Sequence, residues 1–375
     1  MDISVLILFF NRADSLAKVF AEVRRAQPTR LFLYQDGPRG ERDMPGIEAC
    51  RKVVADVDWP CEVYRNYSEV NRGCDPSEYL SQKWAFSIVD RCIVLEDDDV
   101  PTQSFFRFCA EMLDRYADDE RVGMIAGFNP EEQTHPQPLP AREGRGHHVC
   151  NEHSDNGVST PLPHREGQEG GAGEASYFFT RNFSIWGWAS WRRVVDKWDG
   201  SYSWLDDPAQ VSKLEAHIRR YRLRDDFLPM CRAHRAQGKE FYETIFCAHM
   251  WMNDLLAIVP TKNQISNLGV SDDSTHFAGS IQQLPRGYRR IFTMGRHELT
   301  FPLVHPAGST PGEPHEEYVP YRESVYRIMA WGHPWIKVCR SVEELLINIR
   351  HGQWSYISRA VKARLRKFTR GQDYY

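Results

Sequence analysis

Short apolar runs alternate along the chain with segments in which apolar residues recur at helical spacing. In the first 130 residues the apolar runs cover 5–9, 31–34, 61–64, 92–95 and 122–126. The helical patterns between them cover 14–25, 47–57, 77–89 and 104–116. This alternation predicts an α/β fold with a mixed, mostly parallel sheet and helices on both faces. Ligands of such sheets bind beyond the carboxyl ends of the strands.

The pattern breaks at residues 131–175, which are rich in Pro, Gly, His, Arg and Glu. A PLPxREG repeat occurs there twice, at 138–144 and 161–167. This composition buries too little apolar surface to offset chain entropy, so we expect a disordered surface insertion. Beyond it, 177–204 is rich in aromatic residues, 208–253 has helical patterns and 255–259 is a further apolar run. These changes divide the chain into 1–130, 131–175, 176–300 and 301–375.

The last helical pattern, at 355–370, is basic and amphipathic. Its Arg and Lys residues alternate with the apolar residues Ile357, Val361, Leu365 and Phe368. The pattern is typical of a helix that lies on a membrane surface, and equally of a solvated terminal helix. A peripheral contact with a membrane surface is therefore one of two open interpretations.

Composition and charge exclude several classes of function. The chain has 375 residues, 47 Lys and Arg against 51 Asp and Glu, and a formal net charge of −4. It has no overall field that would attract nucleic acid, so no nucleic-acid partner is expected. The nine cysteines form no C-x-x-C pair, the basic unit of zinc ribbons and redox dithiols. The apolar run at 3–10 is far too short to cross a bilayer, and we expect a cytoplasmic protein.

The strongest chemical signal is a run of four carboxylates, Glu96 to Asp99, directly after the apolar run at 92–95. Clustered carboxylates repel one another unless a cation holds them. A divalent cation, Mn²⁺ or Mg²⁺, would stabilise the cluster if a substrate diphosphate completed its coordination. The alternative is a solvated acidic turn that caps the following helix.

Together with Pro101, Phe105-Phe106 and Phe108, these acids resemble a motif of the GT-A-fold nucleotide-sugar glycosyltransferases. The nearest branches are the bacterial hemolytic-protein-like glycosyltransferases and the N-acetylglucosaminyltransferase I type. The resemblance covers about residues 3–277 outside the insertion, and the order of its motifs is more specific than any one of them. The further motifs are Phe9-Phe10-Asn11-Arg12, Asp36-Gly37-Pro38-Arg39, Asn71-Arg72-Gly73, Ile185-Trp186-Gly187-Trp188, Asn267-Leu268-Gly269 and Thr275-His276.

The resemblance implies a GT-A, Rossmann-like fold. Residues 1–130 would bind a nucleotide-diphosphate sugar, 176–300 would bind the acceptor, and 301–375 would be a C-terminal extension. The resemblance also implies a divalent metal ion at Asp98, or one residue further along at Asp99, with His276 near the ion or the diphosphate. A structural role is the alternative for His276, and a simple tight turn is the alternative for Asp36 and Arg39. The residues implied for the nucleotide sugar are Asn11, Arg12, Asp36, Arg39, Arg72, Glu96 and Asp97.

An acceptor hydroxyl needs a base on the opposite side of the sugar from the diphosphate. Glu243 is the candidate base, and the alternatives are Asp225, Asp226 and Glu240. Of the tryptophans in the aromatic motif, Trp186 and Trp188 are the candidates for the acceptor site. We expect one of them to line that site while the other packs in the core.

The sequence thus predicts a metal-dependent transferase that moves a sugar from a nucleotide-diphosphate sugar to a hydroxyl group. A cell-surface glycan or a lipopolysaccharide-type, lipid-linked glycan is the expected acceptor, and the resemblance implies inversion at the anomeric carbon. One alternative is a nucleotidyltransferase on a similar sheet. Another is a catalytically inactive protein that binds nucleotide sugars or glycans.

Overall fold

The computed structural model describes residues 2–131, 175–269, 281–329, 334–358 and 361–362. The expected insertion lies outside the described residues except for its first and last positions. His276 also lies outside them.

Ten strands are present among the described residues. In chain order they are β1 (Ser4–Phe9), β2 (Arg30–Gln35), β3 (Glu62–Tyr67), β4 (Arg91–Glu96), β5 (Asp99–Pro101), β6 (Val122–Ala126), β7 (Tyr177–Thr180), β8 (Trp188–Trp191), β9 (Leu256–Pro260) and β10 (Ile265–Asn267). Eight of them form one sheet in the order β3-β2-β1-β4-β8-β6-β9-β7. Only β7 and β8 run against the others in this sheet. The remaining two, β5 and β10, pair antiparallel.

Helices cover both faces of the sheet. They are α1 (Ala13–Ala26), α2 (Met44–Val53), α3 (Cys74–Ile88), α4 (Gln103–Arg115), α5 (Arg192–Val195), α6 (Pro208–Tyr221), α7 (Phe227–Gln237), α8 (Tyr242–Met252), α9 (Arg286–Thr293), α10 (Val319–Met329) and α11 (Pro334–Arg350). Because strand side chains alternate, Val5 and Ile7 of β1 pack with α1, α2 and α4 on one face. Leu6 and Leu8 pack on the opposite face, where α3, α6, α7 and α8 contribute to the core.

The predicted fold class is confirmed. The five early apolar runs form β1, β2, β3, β4 and β6 of a mixed, mostly parallel sheet with helices on both faces. The helical pattern at 208–253 is divided into α6, α7 and α8. The divisions fall at Arg222 and Gly238, which have left-handed φ values of 51° and 65°. A residue in this conformation ends an α-helix.

The expected C-terminal extension contributes to the core over some of its length. Leu303, Tyr321, Val325 and Tyr326 are buried. Beside β7, the backbone N–H of Tyr318 donates to the carbonyl of Phe179 at 2.8 Å. Residues 303–326 therefore pack against the edge of the main sheet. None of the helices in the described ranges combines the length and hydropathy that a bilayer crossing requires.

Candidate active site

The acidic run lies where β4 ends, at the carboxyl edge of the parallel strands. Asp97, Asp98 and Asp99 are only 2%, 6% and 0% exposed. The interpretation of this run as a solvated helix cap is wrong. The hydroxyl of Thr102 accepts the N–H of Phe105 and caps α4 instead. In addition, the carboxylate of Glu298 accepts the next free N–H groups of that helix, from residues 103 and 104.

Arg12, which follows β1, links two of the buried acids. Its guanidinium donates to Asp97 and lies 2.8 Å from Oδ2 of Asp98. Burial lowers the pKa of Arg12, but the two carboxylates outweigh it and the pKa is raised. Burial also raises the pKa of Asp97 to about 6, although Arg12 acts in the opposite direction. The sequence analysis assigns Arg12 to the nucleotide sugar, and in this structure it binds the acidic run.

Both carboxylate oxygens of Asp99 accept hydrogen bonds from other residues of the site. Its carboxylate accepts the N–H of Gly187 at 2.8 Å and the side-chain amide of Asn267 at 2.9 Å. The same amide lies 3.3 Å from Oδ1 of Asp98. A side chain at Gly269 would meet Oδ2 of Asp98 at 2.6 Å, so only glycine allows this close approach. The pairing of β5 with β10 thus brings Asn267 and Gly269 against the acidic run.

On the α3 side of the sheet, Glu96 lies close to a second buried acid, Glu78. Burial raises the pKa of Glu96 well above its usual range, and the neighbouring charge of Glu78 adds to this effect. Burial and the charges of Asp75 and Glu243 raise the pKa of Glu78 in the same way. The thiol of Cys74 donates to Glu78 Oε1 at 3.3 Å. The sequence analysis missed Glu78.

The polar face of α3 explains why Glu78 was missed. Ser77, Glu78, Ser81 and Gln82 repeat at the four-residue spacing of one helix face, which normally indicates contact with solvent. All four are buried here. In addition, Ser77 Oγ, Gln82 Oε1 and the hydroxyl of Tyr242 are buried without a hydrogen-bond partner. Ser77 does lie near the Tyr34 hydroxyl and Gln82 near the Tyr242 hydroxyl. Buried polar atoms without a close hydrogen bond are uncommon in proteins, so this corner is a candidate for ligand binding.

Five carboxyl groups lie in this corner of the protein together with the guanidinium of Arg12. They belong to Glu78, Glu96, Asp97, Asp98 and Asp99. Carboxylate oxygen is the ligand that Mg²⁺, Mn²⁺ and Ca²⁺ prefer, so the excess of acid fits a divalent cation. Within the residues that the structure describes, no three His, Cys, Asp or Glu side chains converge as a ready ligand set.

Asp36, at the end of β2, binds the loop that precedes α3. Its carboxylate accepts the backbone N–H groups of Gly37, Arg72 and Gly73 at 2.9–3.0 Å, and the side-chain amide of Asn71 at 2.9 Å. Both oxygens are therefore used within the protein. A tight turn at Asp36-Gly37 accounts only for the bond from Gly37, because the other three donors belong to the loop at 71–73.

Asn11 and Arg39 meet at a residue that the sequence analysis did not single out, Asp43. Arg39 donates to the Asp43 carboxylate through Nε at 3.0 Å and Nη2 at 2.7 Å, and Asn11 donates at 3.2 Å. The hydrogen bonds from Arg39 lower the pKa of Asp43 to about 2. The guanidinium of Arg39 also lies over the ring of Phe10, 5.0 Å from its centre.

Arg72 is exposed at the rim of a groove beside these loops. The groove has a volume of about 520 Å³. It opens where β2 and β3 end and is bounded by the rings of Tyr34 and Trp84. Its lining residues are Tyr34, Asn66, Ser68, Glu69, Val70, Arg72, Leu80 and Trp84.

The two candidate tryptophans of the acceptor site differ in exposure. Trp188 is 1% exposed and stacks with Tyr242 and Phe246 inside the core. Trp188 is therefore the tryptophan of this motif that packs in the core, and its assignment to the acceptor site is not supported because its ring has no free face. Trp186 is partly exposed and packs against Phe128 and Phe292. Between the tryptophans, Gly187 adopts a φ of 59° and turns the backbone toward Asp99.

Glu243 lies in the first turn of α8 and is exposed. It is near enough to Glu78 for its charge to raise the pKa of that residue. Of the alternatives, Asp225 is paired with Lys337 at 2.8 Å and Asp226 with Arg224 at 2.6 Å. Glu240 packs beside Gly200, near Tyr79. Among these four acids, Glu243 is the one whose charge is found to act on a buried acid of the site, Glu78.

Comparison with known proteins gives distant similarity of structure alone. No family model and no curated protein sequence matches the chain. One similar structure is the apo form of mouse xyloside xylosyltransferase 1, with 13% identity and a TM-score of 0.24, covering 35% of this chain and 55% of that chain. Another is 4-diphosphocytidyl-2C-methyl-D-erythritol synthase from Anaerococcus prevotii DSM 20548, with 8% identity and a TM-score of 0.23, covering 36% and 60%. The chain thus spans less than two thirds of either protein, and neither likeness bears on activity.

Proposed function

We propose that the protein is a glycosyltransferase that uses a nucleotide-diphosphate sugar and a divalent metal ion. The observation that carries this proposal is the group of buried carboxyl groups at the carboxyl edge of the parallel strands. Burying so many acids together is costly unless a cation joins them. The position is also the one where open α/β sheets bind their ligands.

Asp98 is the residue that we assign to the metal ion. Asp97 is held by Arg12 and the N–H of Phe10, and Asp99 is held by Gly187 and Asn267. Asp98 is itself 2.8 Å from Arg12 through Oδ2 and 3.3 Å from the Asn267 amide through Oδ1, so a metal ion at Asp98 would have to take the place of Arg12 beside Oδ2. A bound divalent cation supplies neutralising charge for a leaving diphosphate. His276 remains a proposed second ligand.

The nucleotide is assigned to the groove beside Arg72. A volume of about 520 Å³ suits a nucleoside-sized ligand, and the partly exposed ring of Trp84 offers a surface on which a base or a sugar can pack. The guanidinium of Arg72 matches the geometry of phosphate oxygens. Glu96 is assigned to the sugar, while Asn11, Arg12, Asp36 and Arg39 shape the loops around it through the contacts described above.

Glu243 is assigned to proton abstraction from the acceptor hydroxyl. It is exposed, so an acceptor can reach it, and its charge acts on the buried Glu78, whereas Arg12 contacts Asp97 and Asp98. Trp186 has an accessible edge for the acceptor. The proposed acceptor is a cell-surface glycan or a lipid-linked glycan, with inversion at the anomeric carbon and peripheral attachment to the cytoplasmic face of a membrane.

The test is the variant Asp98→Asn, which removes the charge and keeps the shape. We expect nucleoside-diphosphate sugars with Mn²⁺ to raise the melting temperature of the wild-type protein, since they bind the folded state. The shift should vanish in Asp98→Asn and persist in Asp114→Asn, a matched change at an exposed, ion-paired aspartate.

The products of turnover separate the alternatives. Release of nucleoside diphosphate in the presence of a glycan acceptor supports a glycosyltransferase. Release of pyrophosphate from a nucleoside triphosphate would show a nucleotidyltransferase instead. Binding without either product would show an inactive binding protein. Equal Mn²⁺-dependent binding by wild type and Asp98→Asn would remove the metal site from the proposal.

A further inference from the structure

α11 presents its apolar side to solvent. Trp335, Val338, Val342, Leu345, Leu346 and Ile349 recur at intervals of three and four residues, which places them on one side of the helix. Trp335 is 75% exposed and Leu346 is 61% exposed. The exposed apolar residues continue beyond the helix with Trp354, 64% exposed, and Tyr356. A contiguous apolar surface of this extent marks an interaction site.

The charged side of α11 faces the protein. Lys337 pairs with Asp225 at 2.8 Å, and Glu343 accepts the N–H of Arg286 at 3.0 Å. The guanidinium of Arg340 lies 3.8 Å from the centre of the Tyr288 ring. This orientation is the reverse of an ordinary surface helix, which buries its apolar side. The polar contacts hold the apolar side outward.

The charge of the neighbouring chain indicates what covers this surface. Residues 351–375 contain six Lys and Arg, namely Arg359, Lys362, Arg364, Arg366, Lys367 and Arg370, against one acid, Asp373. The whole chain has a net charge of −4, so this end differs in sign from the rest. A second copy of the chain would carry the same basic charge, so charge complementarity does not favour it as the occupant. A surface of anionic lipid attracts such basic segments.

We infer that the apolar side of α11, with Trp354 and Tyr356, docks on a bilayer that contains anionic lipid. The apolar side chains would enter the boundary between headgroups and acyl chains, where tryptophan is also favoured. The Lys and Arg residues would bind lipid phosphates. If the proposed function holds, this contact places the active site at the surface where a lipid-linked acceptor is found.

The experiment is cosedimentation of the full chain with vesicles of phosphatidylcholine, with and without phosphatidylglycerol. We expect binding to the anionic vesicles, weaker binding at high salt, and little binding to phosphatidylcholine alone. The double variant Val342→Glu, Leu346→Glu should lower the partition coefficient by about ten-fold or more. The matched control, Val304→Glu with Val319→Glu, changes exposed valines elsewhere and should bind like wild type.

Circular dichroism and thermal melts establish that the variants are folded. The inference is overturned if the folded wild type does not bind anionic vesicles, or if the α11 double variant binds them as well as wild type does. Light scattering tests the rival occupant: a wild-type dimer that the α11 variant converts to a monomer would assign the surface to a second copy. None of these measurements needs a donor or an acceptor, so their failure would remove the membrane attachment and leave the proposed sugar transfer intact.

Discussion

Glu78 and Glu96 approach one another from α3 and β4, and Glu243 reaches the same corner from the start of α8. The first two have raised pKa values and are buried (Glu78) or partly buried (Glu96), whereas Glu243 is open to solvent. A general base must be ionised and accessible to the hydroxyl that it deprotonates. Burial disfavours the ionised form of Glu78 and Glu96. Exposure therefore favours Glu243 as the base.

Replacing Glu243 by Gln keeps the shape of the side chain and removes its basicity. We expect kcat to fall by about 10²–10⁴-fold with the affinity for the donor nearly unchanged, because loss of a general base acts on the transition state. Asp114→Asn, at an exposed, ion-paired position with no proposed role in the site, serves as the control. Steady-state kinetics and donor titrations measure both quantities. Turnover of Glu243→Gln within a few-fold of wild type would remove it from this role.

At the scale of elements, the first half of the sheet could be predicted from sequence because its signals are local. Apolar runs and helical spacing lie within each element, so β1, β2, β4, β6 and their helices were found. The pairing of β5 with β10 could not be predicted, because it joins Asp99 to Asn267 across the chain. The buried polar face of α3 was missed for a related reason. Only the tertiary fold converts an apparent solvent face into an interior one.

Within the site, the position of the acidic run could be predicted from the sequence. The hydrogen-bond and ion-pair partners of each charged side chain could not. Asp43 stands only four residues after Arg39, but that spacing alone does not show that its carboxylate holds the guanidinium. Nothing local to Asp36 shows that the loop before α3 binds both its oxygens. Trp186 and Trp188 stand two positions apart in one motif. Their different exposure follows from the strand β8, which directs Trp188 into the core.

The turn before β8 depends on one glycine. Gly187 has a φ of 59°, and a side chain there would meet Cδ1 of Ile265 at 2.4 Å. We expect Gly187→Ala to lower the free energy of unfolding by about 1–3 kcal/mol, since both the backbone conformation and the space are unsuitable. Gly40→Ala, where nothing lies within 4 Å, should be nearly neutral. Urea unfolding of both variants gives the comparison, and equal stabilities would contradict the role assigned to the turn.

At the scale of the whole molecule, the buried ring of His249 makes stability depend on pH. Burial lowers its pKa to about 4, and the nearby charges of Lys197 and Lys83 act in the same direction. An unfolded histidine has a pKa near 6.5, so the unfolded chain binds the proton first as the pH falls. The stabilisation is thus complete above about pH 6.5 and is lost between there and about pH 4.

A comparison of variants isolates this effect from the other titrating groups. Relative to its value at neutral pH, we expect the contribution of His249 to the free energy of unfolding to fall by about 2 kcal/mol at about pH 5. His249→Gln should lack this component of the pH dependence, whereas His351→Gln, at an exposed position, should retain it. Chemical unfolding across this pH range measures the difference. Parallel curves for wild type and His249→Gln would rule the effect out.

The position of β8 also determines when the protein can fold during synthesis. β6 comes from the first 130 residues, but its partners in the described sheet, β8 and β9, begin only at Trp188 and Leu256. While a ribosome translates the segment between them, β4 and β6 each expose an edge that no strand already made can cover. A nascent chain in this condition can pair with other chains. The centre of the sheet is therefore closed late, after most of the polypeptide has left the ribosome.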